Sequence, residues 1–130
     1  MMSARRAALI IVVLASVAVL AACGGSSGQA SVDAYGERNP VTVTGNSVTV
    51  ELKNIQFVPQ GIKVKPGTTV TWVNEDPVVH NVSEIHSVFL SPVMKQGDRF
   101  SFTFDKPGVY RYQCTFHHPL MNGVVIVEKQ

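Results

Sequence analysis

Short β-branched and aromatic segments, separated by turn residues, constrain the fold of this 130-residue chain more than any other feature. No segment beyond residue 40 shows the 3.6-residue periodicity of an amphipathic helix. Gly45-Asn46 predicts a tight hairpin turn, and Trp72 and the alternating Phe100, Phe102 and Phe104 are predicted to be core. The segments are residues 41–44, 48–52, 62–65, 68–73, 100–104, 109–114 and 124–127. The pattern predicts an antiparallel sandwich or a Greek-key barrel of seven or eight strands.

An apolar run near the N-terminus divides the chain. Arg5 and Arg6 precede residues 7–22, which carry no charge. Such a run is short for a membrane-spanning helix, which needs about 20 residues, so residues 1–22 are predicted to be a signal peptide. Leu20-Ala21-Ala22-Cys23 resembles the lipobox of bacterial lipoproteins, in which the cysteine becomes the acylated N-terminus. An ordinary secretory signal and a short membrane anchor are the alternatives.

Removal of residues 1–22 would leave 108 residues that begin at Cys23. Because Gly and Ser dominate the next few positions, we predict a lipidated Cys23 followed by a flexible tether, together residues 23–39. Residues 40–130 would form the folded domain. The protein is therefore expected to be exported and anchored by lipid to the extracytoplasmic face of a membrane, in the periplasm or at the cell surface.

The charge balance argues against a nucleic-acid binder. Two of the eleven Lys and Arg residues lie in the predicted leader, which leaves nine basic residues against nine Asp and Glu. A nucleic-acid-binding protein would instead present a basic face. The sequence also lacks a phosphate-binding loop, a nucleophile elbow and the glycine pattern of dinucleotide-binding proteins, and we predict that the protein is not an enzyme.

Cys114 is the one thiol that remains if the first cysteine carries lipid. Exported proteins usually pair their cysteines or lack them, so this thiol is either buried and inert, a nucleophile or a metal ligand. Its neighbours favour a metal, because His117, His118 and Met121 follow it before the last strand, and His80 adds a distant imidazole. Two imidazoles, a thiolate and a thioether are the donor set of a blue-copper site, whereas structural zinc sites normally have more cysteines.

Two segments of the chain resemble the cupredoxins, in particular the plastocyanin, pseudoazurin and amicyanin group. They are Val79-His80-Asn81-Val82 and the run from Tyr110 to Gly123, and the resemblance spans roughly residues 48–127. It implies a Greek-key β-sandwich of about seven to eight strands that holds one type 1 copper ion. It also implies that His80 and Cys114 are equatorial ligands and that Met121 is the weak axial ligand.

The resemblance implies further residues around the ligands. Asn81 matches an asparagine that ties the strand of the first histidine to the residue after the cysteine, here Thr115; such bonds orient ligands. Phe116 stands where the short-loop members usually have proline. Because Phe116 keeps a backbone N–H, which proline lacks, we predict that it donates to the Cys114 sulfur and raises the reduction potential.

The identity of the second histidine ligand stays open in the sequence. With His117 the spacing is Cys-x2-His-x3-Met, and with His118 it is Cys-x3-His-x2-Met. We predict His117, because Cys-x2-His is the commoner spacing in single-copper members, and we expect the other histidine at the surface. Met94 is an alternative to Met121 as the axial ligand.

A small apolar docking patch is predicted around the exposed edge of the ligand histidine, because electron-transfer encounters are weak and small. Ordinary loop packing is the alternative for its residues. The predicted members are Pro92, Val93, Met94, Pro119 and Leu120.

These observations predict a type 1 copper electron-transfer protein that shuttles single electrons between redox partners outside the cytoplasm. We expect one copper ion that cycles between Cu(I) and Cu(II), transient docking on cytochrome-, dehydrogenase- or oxidase-type proteins, and a monomer. The first alternative is a copper chaperone, buffer or sensor, in which His86, Met94 and the non-ligand histidine would be spare donors. The second is a structural or adhesive β-sandwich with a vestigial site.

Overall fold

The computed structural model describes residues 33–129, which form an all-β sandwich of nine strands. The predicted leader, Cys23 and residues 24–32 lie outside the described residues. Within residues 33–129, no helix has the length and hydropathy needed to span a bilayer. The strands are β1 (Val41–Thr42), β2 (Ser47–Leu52), β3 (Phe57–Val58), β4 (Gly61–Val64), β5 (Thr68–Asn74), β6 (Ser83–Glu84), β7 (Arg99–Phe104), β8 (Gly108–Gln113) and β9 (Asn122–Val127). The sequence pattern did not predict β3 and β6, because two residues are too few to show alternation.

Both sheets of the sandwich are mixed. The five-stranded sheet has the order β1-β4-β9-β8-β6, and the four-stranded sheet has the order β3-β2-β5-β7. Three pairs are parallel, namely β1 with β4, β4 with β9 and β2 with β5. The prediction that the sandwich is antiparallel was therefore wrong for these three pairs of strands. Parallel neighbours need long crossover connections rather than tight turns, and a strand pattern does not reveal which connections cross over.

Gly45-Asn46 does not close a hairpin, contrary to the prediction. The strands on either side of this turn, β1 and β2, belong to different sheets. The Val43 N–H donates to the Lys63 carbonyl at 2.8 Å in one sheet, and the Asn46 carbonyl accepts from the Thr69 N–H at 3.0 Å in the other. The turn residues thus mark the point where the chain passes between the two sheets.

An aromatic core supports the ends of β5 and β8, from which the loops of the candidate site emerge. Trp72 on β5 and Tyr112 on β8 are fully buried and meet edge to face, with ring centroids 5.3 Å apart. Phe104 on β7 is also fully buried, and Phe100 and Phe102 are partly buried against the same cluster. The predicted core positions of Trp72 and of the phenylalanine face of β7 are confirmed.

Residues 33–38, which we call the N-terminal segment, pack against the five-stranded sheet. The Glu37 carboxylate pairs with the Arg111 guanidinium on β8. The Gln60 side-chain amide donates to the Ala34 carbonyl at 2.9 Å. The tether predicted over residues 23–39 therefore does not extend through this segment. Its side-chain bonds reach residues far away in sequence, which local composition cannot show.

We expect Gly61→Ala to destabilise the fold by about 1–3 kcal/mol, the usual cost of overpacking. A Cβ on Gly61 would lie only 2.1 Å from the carbonyl oxygen of Gly36, so the N-terminal segment would have to move away. Urea unfolding measures the change in the free energy of unfolding. Gly45→Ala is the matched control, because its Cβ would meet nothing closer than 3.8 Å. Equal losses in the two variants would contradict the close packing of Gly36 on Gly61.

Candidate metal centre

Two loops carry the predicted donor residues other than Met94. The first loop, between β5 and β6, contains His80. Met94 lies in the segment between β6 and β7. The backbones of these two residues exchange hydrogen bonds, from the His80 N–H to the Met94 carbonyl at 3.1 Å and from the Met94 N–H to the His80 carbonyl at 2.8 Å. The second loop joins β8 to β9 and contains Cys114, His117 and Met121. His80 is thus held by an isolated backbone bridge to Met94, outside the named strands.

The loop between β8 and β9 is closed by its own backbone. The Cys114 N–H donates to the Met121 carbonyl at 3.0 Å, which joins the two ends of the loop. Inside it, the His117 N–H donates to the Cys114 carbonyl at 3.2 Å, and the Met121 N–H donates to the His117 carbonyl at 3.2 Å. These bonds fold the loop as successive turns that bring His117 back towards Cys114.

Three side-chain donor atoms converge between the two loops. The Cys114 Sγ lies 3.6 Å from the His80 Nδ1 and 3.5 Å from the His117 Nδ1. The two Nδ1 atoms are 3.2 Å apart. His80 and Cys114 are fully buried, and His117 is partly exposed. The cluster therefore has one buried side and one side near the surface.

His118 does not join this cluster. It is exposed, whereas the turn from Cys114 to His117 directs the His117 ring to the other donors. Of the two spacings left open by the sequence, the geometry favours Cys-x2-His-x3-Met.

Met121 and Met94 are both buried at the site. Met121 is fully buried and has backbone hydrogen bonds to both Cys114 and His117. Met94 is only 2% exposed, so it does not contribute to the predicted docking patch. Side chains in an extended segment point alternately to opposite sides, and here Val93 faces outward while Met94 faces inward.

The other members of the predicted patch are exposed next to the site. Val93 is 56% exposed and directly precedes Met94, which is bonded to His80. Leu120 is 84% exposed, and its N–H donates to the His117 carbonyl at 2.9 Å. Pro92 and Pro119 are exposed as well.

Phe116 belongs to this exposed apolar surface and not to the interior of the site. Its side chain is 50% exposed. A bond from the Phe116 N–H to the Cys114 sulfur stays a prediction. The first turn of the loop is closed by the N–H of the next residue, His117, on the Cys114 carbonyl.

Asn81 links the two loops through both ends of its amide. Its Nδ2 donates to the Thr115 Oγ1 at 2.9 Å, and its Oδ1 accepts from the Thr115 N–H at 2.8 Å. Because Asn81 follows His80 and Thr115 follows Cys114, these two bonds fix the separation of the two donor residues. Such outer hydrogen bonds orient metal ligands.

Asp76 is the residue of the site that sequence reasoning missed. Its Oδ2 lies 2.9 Å from the His80 Nε2, on the side of the ring away from the other donors. Burial raises the pKa of the Asp76 carboxyl, but hydrogen bonds from the Ile55 N–H, the His80 ring and the Asn54 N–H outweigh it and hold the pKa below its ordinary value. A carboxylate four residues before a ligand histidine was the available signal, since ligand imidazoles often bond to carboxylates.

The chemistry of the converging atoms fits copper. Two imidazole nitrogens and a thiol sulfur lie within 4.8 Å of one another with no acidic side chain among them. Nitrogen and sulfur donors with a buried thioether nearby suit copper, whereas calcium and magnesium require oxygen ligands. His80, Cys114 and His117 are thus arranged as a site for one copper ion.

A β-sandwich that gathers two imidazoles and one thiol at the ends of its strands defines a small copper protein of the cupredoxin class. The family described as "Copper binding proteins, plastocyanin/azurin family" matches residues 44–128. The chain belongs to this family, and its relatives amicyanin and plastocyanin are electron carriers rather than enzymes.

Relatives from bacteria and archaea show the same similarity. Amicyanin of Paracoccus denitrificans is 31% identical over 117 residues, which cover 86% of this chain and 88% of that protein. Halocyanin of Natronomonas pharaonis is 41% identical over 102 residues, which cover 74% of this chain and 60% of that protein.

Solved structures of amicyanin are also similar to this chain. One is a methionine-to-glutamine mutant in its Cu(I) form, with a TM-score of 0.59 and 34% identity over 64% of this chain and 83% of that chain. The prediction of a cupredoxin β-sandwich is therefore confirmed.

Proposed function

We propose that this protein is a type 1 copper carrier that shuttles single electrons between redox partners outside the cytoplasm. In this proposal His80, Cys114 and His117 would hold the copper ion, and Met121 would add a weaker sulfur ligand. Copper, when bound, supplies a one-electron couple between Cu(I) and Cu(II).

The convergence of three donor atoms carries this proposal. The Nδ1 and Sγ atoms face one another at 3.2–3.6 Å, and backbone bonds and the Asn81 amide hold the loops that bear them. A site that is fixed by the protein imposes nearly the same geometry on both oxidation states. Little rearrangement then accompanies electron transfer, which is what a carrier requires.

The partly exposed His117 gives the electron a short route to the surface. His80 and Cys114 are fully buried, so His117 is the proposed ligand that is nearest to solvent. Exposed apolar residues lie beside it in the same loop, chiefly Phe116 and Leu120. We propose that this surface docks transiently on cytochrome-, dehydrogenase- or oxidase-type proteins, since weak electron-transfer complexes need only small interfaces. We also propose that the protein is a monomer.

Exposed histidines favour a second candidate, a copper chaperone, buffer or sensor. His118 is exposed next to the proposed ligand His117, and the His86 side chain is 71% exposed. Either could offer a first contact for copper. The buried Met94 does not serve this function as an exposed donor.

The sequence alone supports a proposed location. We propose that residues 1–22 are a lipoprotein signal, that Cys23 is acylated and that residues 24–32 connect the lipid to the folded domain. The protein would then be held at the extracytoplasmic face of a membrane.

Copper(II) added to a fragment that begins at residue 24 should produce an intense blue thiolate-to-copper absorption band, which bleaches on reduction and returns on oxidation. His117→Ala should abolish this band, because His117 is a proposed copper ligand. His118→Ala is the matched control and should keep the band. Copper binding without the blue band would contradict the carrier and favour copper handling, and loss of the band only in His118→Ala would reverse the ligand assignment.

Leu120→Asp should slow electron self-exchange between the reduced and oxidised protein by about tenfold or more, because a charge replaces the apolar contact and repels its copy. NMR line broadening in mixtures of the two forms measures this rate. Val109→Asp places the same charge on a 46% exposed valine, five residues before Cys114 and therefore about 16 Å along β8. Equal rates for the two variants would show that Leu120 is not in the docking surface.

The mature protein should begin at Cys23 and carry the additional mass of acyl chains on its N-terminal peptide, as measured by mass spectrometry. Cys23→Ala should lose this mass because the acceptor thiol is gone. Cys114→Ser changes the other cysteine and should keep it. An N-terminus at another residue, or Cys23 without lipid, would refute the lipoprotein proposal.

A further inference from the structure

Asp76 is a buried carboxylate that joins the candidate copper site to a turn at the surface. Its Oδ1 accepts from the Asn54 N–H at 2.7 Å, and its Oδ2 accepts from the Ile55 N–H at 2.9 Å. The same Oδ2 lies 2.9 Å from the His80 Nε2. The side chain thus receives three hydrogen bonds, two of them from the turn between β2 and β3.

The turn has a backbone conformation that few residues adopt without cost. Asn54 and Ile55 have φ angles of 55° and 58°, in the left-handed region. This region is unfavourable for a β-branched residue such as Ile55, and strained positions of this kind cluster at functional sites. The conformation directs two successive N–H groups at Asp76. The turn therefore supplies fixed donors that stabilise the negative charge of the carboxylate.

The hydrogen bonds of Asp76 determine which nitrogen of His80 carries the proton. An ionised carboxylate only accepts hydrogen bonds, so the His80 Nε2 must be the donor in this contact. In the neutral form of an imidazole that carries its proton on Nε2, the lone pair is on Nδ1. That atom faces the Cys114 Sγ at 3.6 Å and the His117 Nδ1 at 3.2 Å. Asp76 thus leaves the lone pair of the His80 Nδ1 available to bind a metal in the cluster.

We propose that Asp76 is a positioning residue that fixes the tautomer of His80 and, through its buried charge, favours the oxidised state of the copper site. This inference rests on the proposed function. The oxidised site carries one more positive charge than the reduced site, and a buried anion one imidazole away stabilises the more positive state. The strained turn at Asn54 and Ile55 keeps that anion in place, so a surface turn contributes to the reduction potential.

The test compares Asp76→Asn with the unchanged protein. Loss of the carboxylate charge should raise the reduction potential. We expect the equilibrium between the oxidised and reduced states to shift about tenfold towards the reduced state, which for a one-electron couple is a rise of about 59 mV. In the copper-free protein, the ¹⁵N NMR signals of His80 should change from the Nε2–H tautomer to a mixture, because an amide can present either an oxygen or a nitrogen to the ring.

Glu84→Gln is the matched control. Glu84 is also a buried carboxylate that accepts N–H bonds from a turn, at His86 and Val88, and contacts a histidine ring at 3.2 Å, that of His86. It bonds to none of the proposed ligands. This variant should leave the potential and the His80 tautomer unchanged. An equal shift in both variants, or an unchanged or lowered potential in Asp76→Asn, would overturn the inference.

The unchanged protein provides a test that does not depend on a variant that folds. Its copper-free form should show His80 protonated on Nε2, with that proton protected from exchange by Asp76. A predominant Nδ1–H tautomer, or rapid exchange between tautomers, would overturn the positioning role. Because this measurement needs neither copper nor a partner, its failure can be told apart from a failure of the proposed electron transfer.

Discussion

The hydrogen bond from the Cys114 N–H to the Met121 carbonyl is the constraint on which the site depends. It joins the first residue after β8 to the last residue before β9, so the intervening loop must fold back on itself. Together with the bond from the His117 N–H to the Cys114 carbonyl, this closure fixes the position of His117 relative to Cys114. The Asn81 amide then holds this loop against the loop of His80 through two further bonds. Backbone bonds within the loop and the Asn81 side chain between the loops therefore set the distances between the donors.

The two imidazoles of the site have different surroundings. His80 is fully buried and bonds through Nε2 to Asp76, whose charge is held by backbone N–H groups. His117 is partly exposed and lies next to the apolar residues Phe116 and Leu120. The buried surroundings of His80 can set the reduction potential, and the exposed surroundings of His117 can set how the electron passes to a partner. Separation of these two tasks allows the surface to match a partner without a change in the site.

The sequence predicted the parts of the molecule that depend on local pattern. Alternation placed the phenylalanines of β7 in the core, and the residue types and spacing around Cys114 pointed to copper. It could not predict the parts that depend on pairing between distant segments. Gly45-Asn46 indicates a reversal but not which sheet each flanking strand joins, and the mixed sheets follow from those choices.

The same limit explains the residues that were missed or misplaced at the site. The spacing of Asp76 and His80 was a local signal, but the bonds from the turn at Asn54 and Ile55 cross more than twenty residues, which no local pattern shows. Met94 was predicted at the surface because an apolar residue in a loop is ambiguous until its backbone partner, His80, is known. The ordered packing of residues 33–38 likewise depends on Arg111 and Gln60, far along the chain.

The self-closed loop between β8 and β9 also makes the site modular. Its internal hydrogen bonds begin and end within residues 114–121, and the strands that it joins pair along their whole length without it. Changes in exposed residues of the loop, such as Leu120, would leave its two ends joined and the pairing of β8 with β9 unaltered. The surface offered to a partner can therefore vary on an unaltered scaffold.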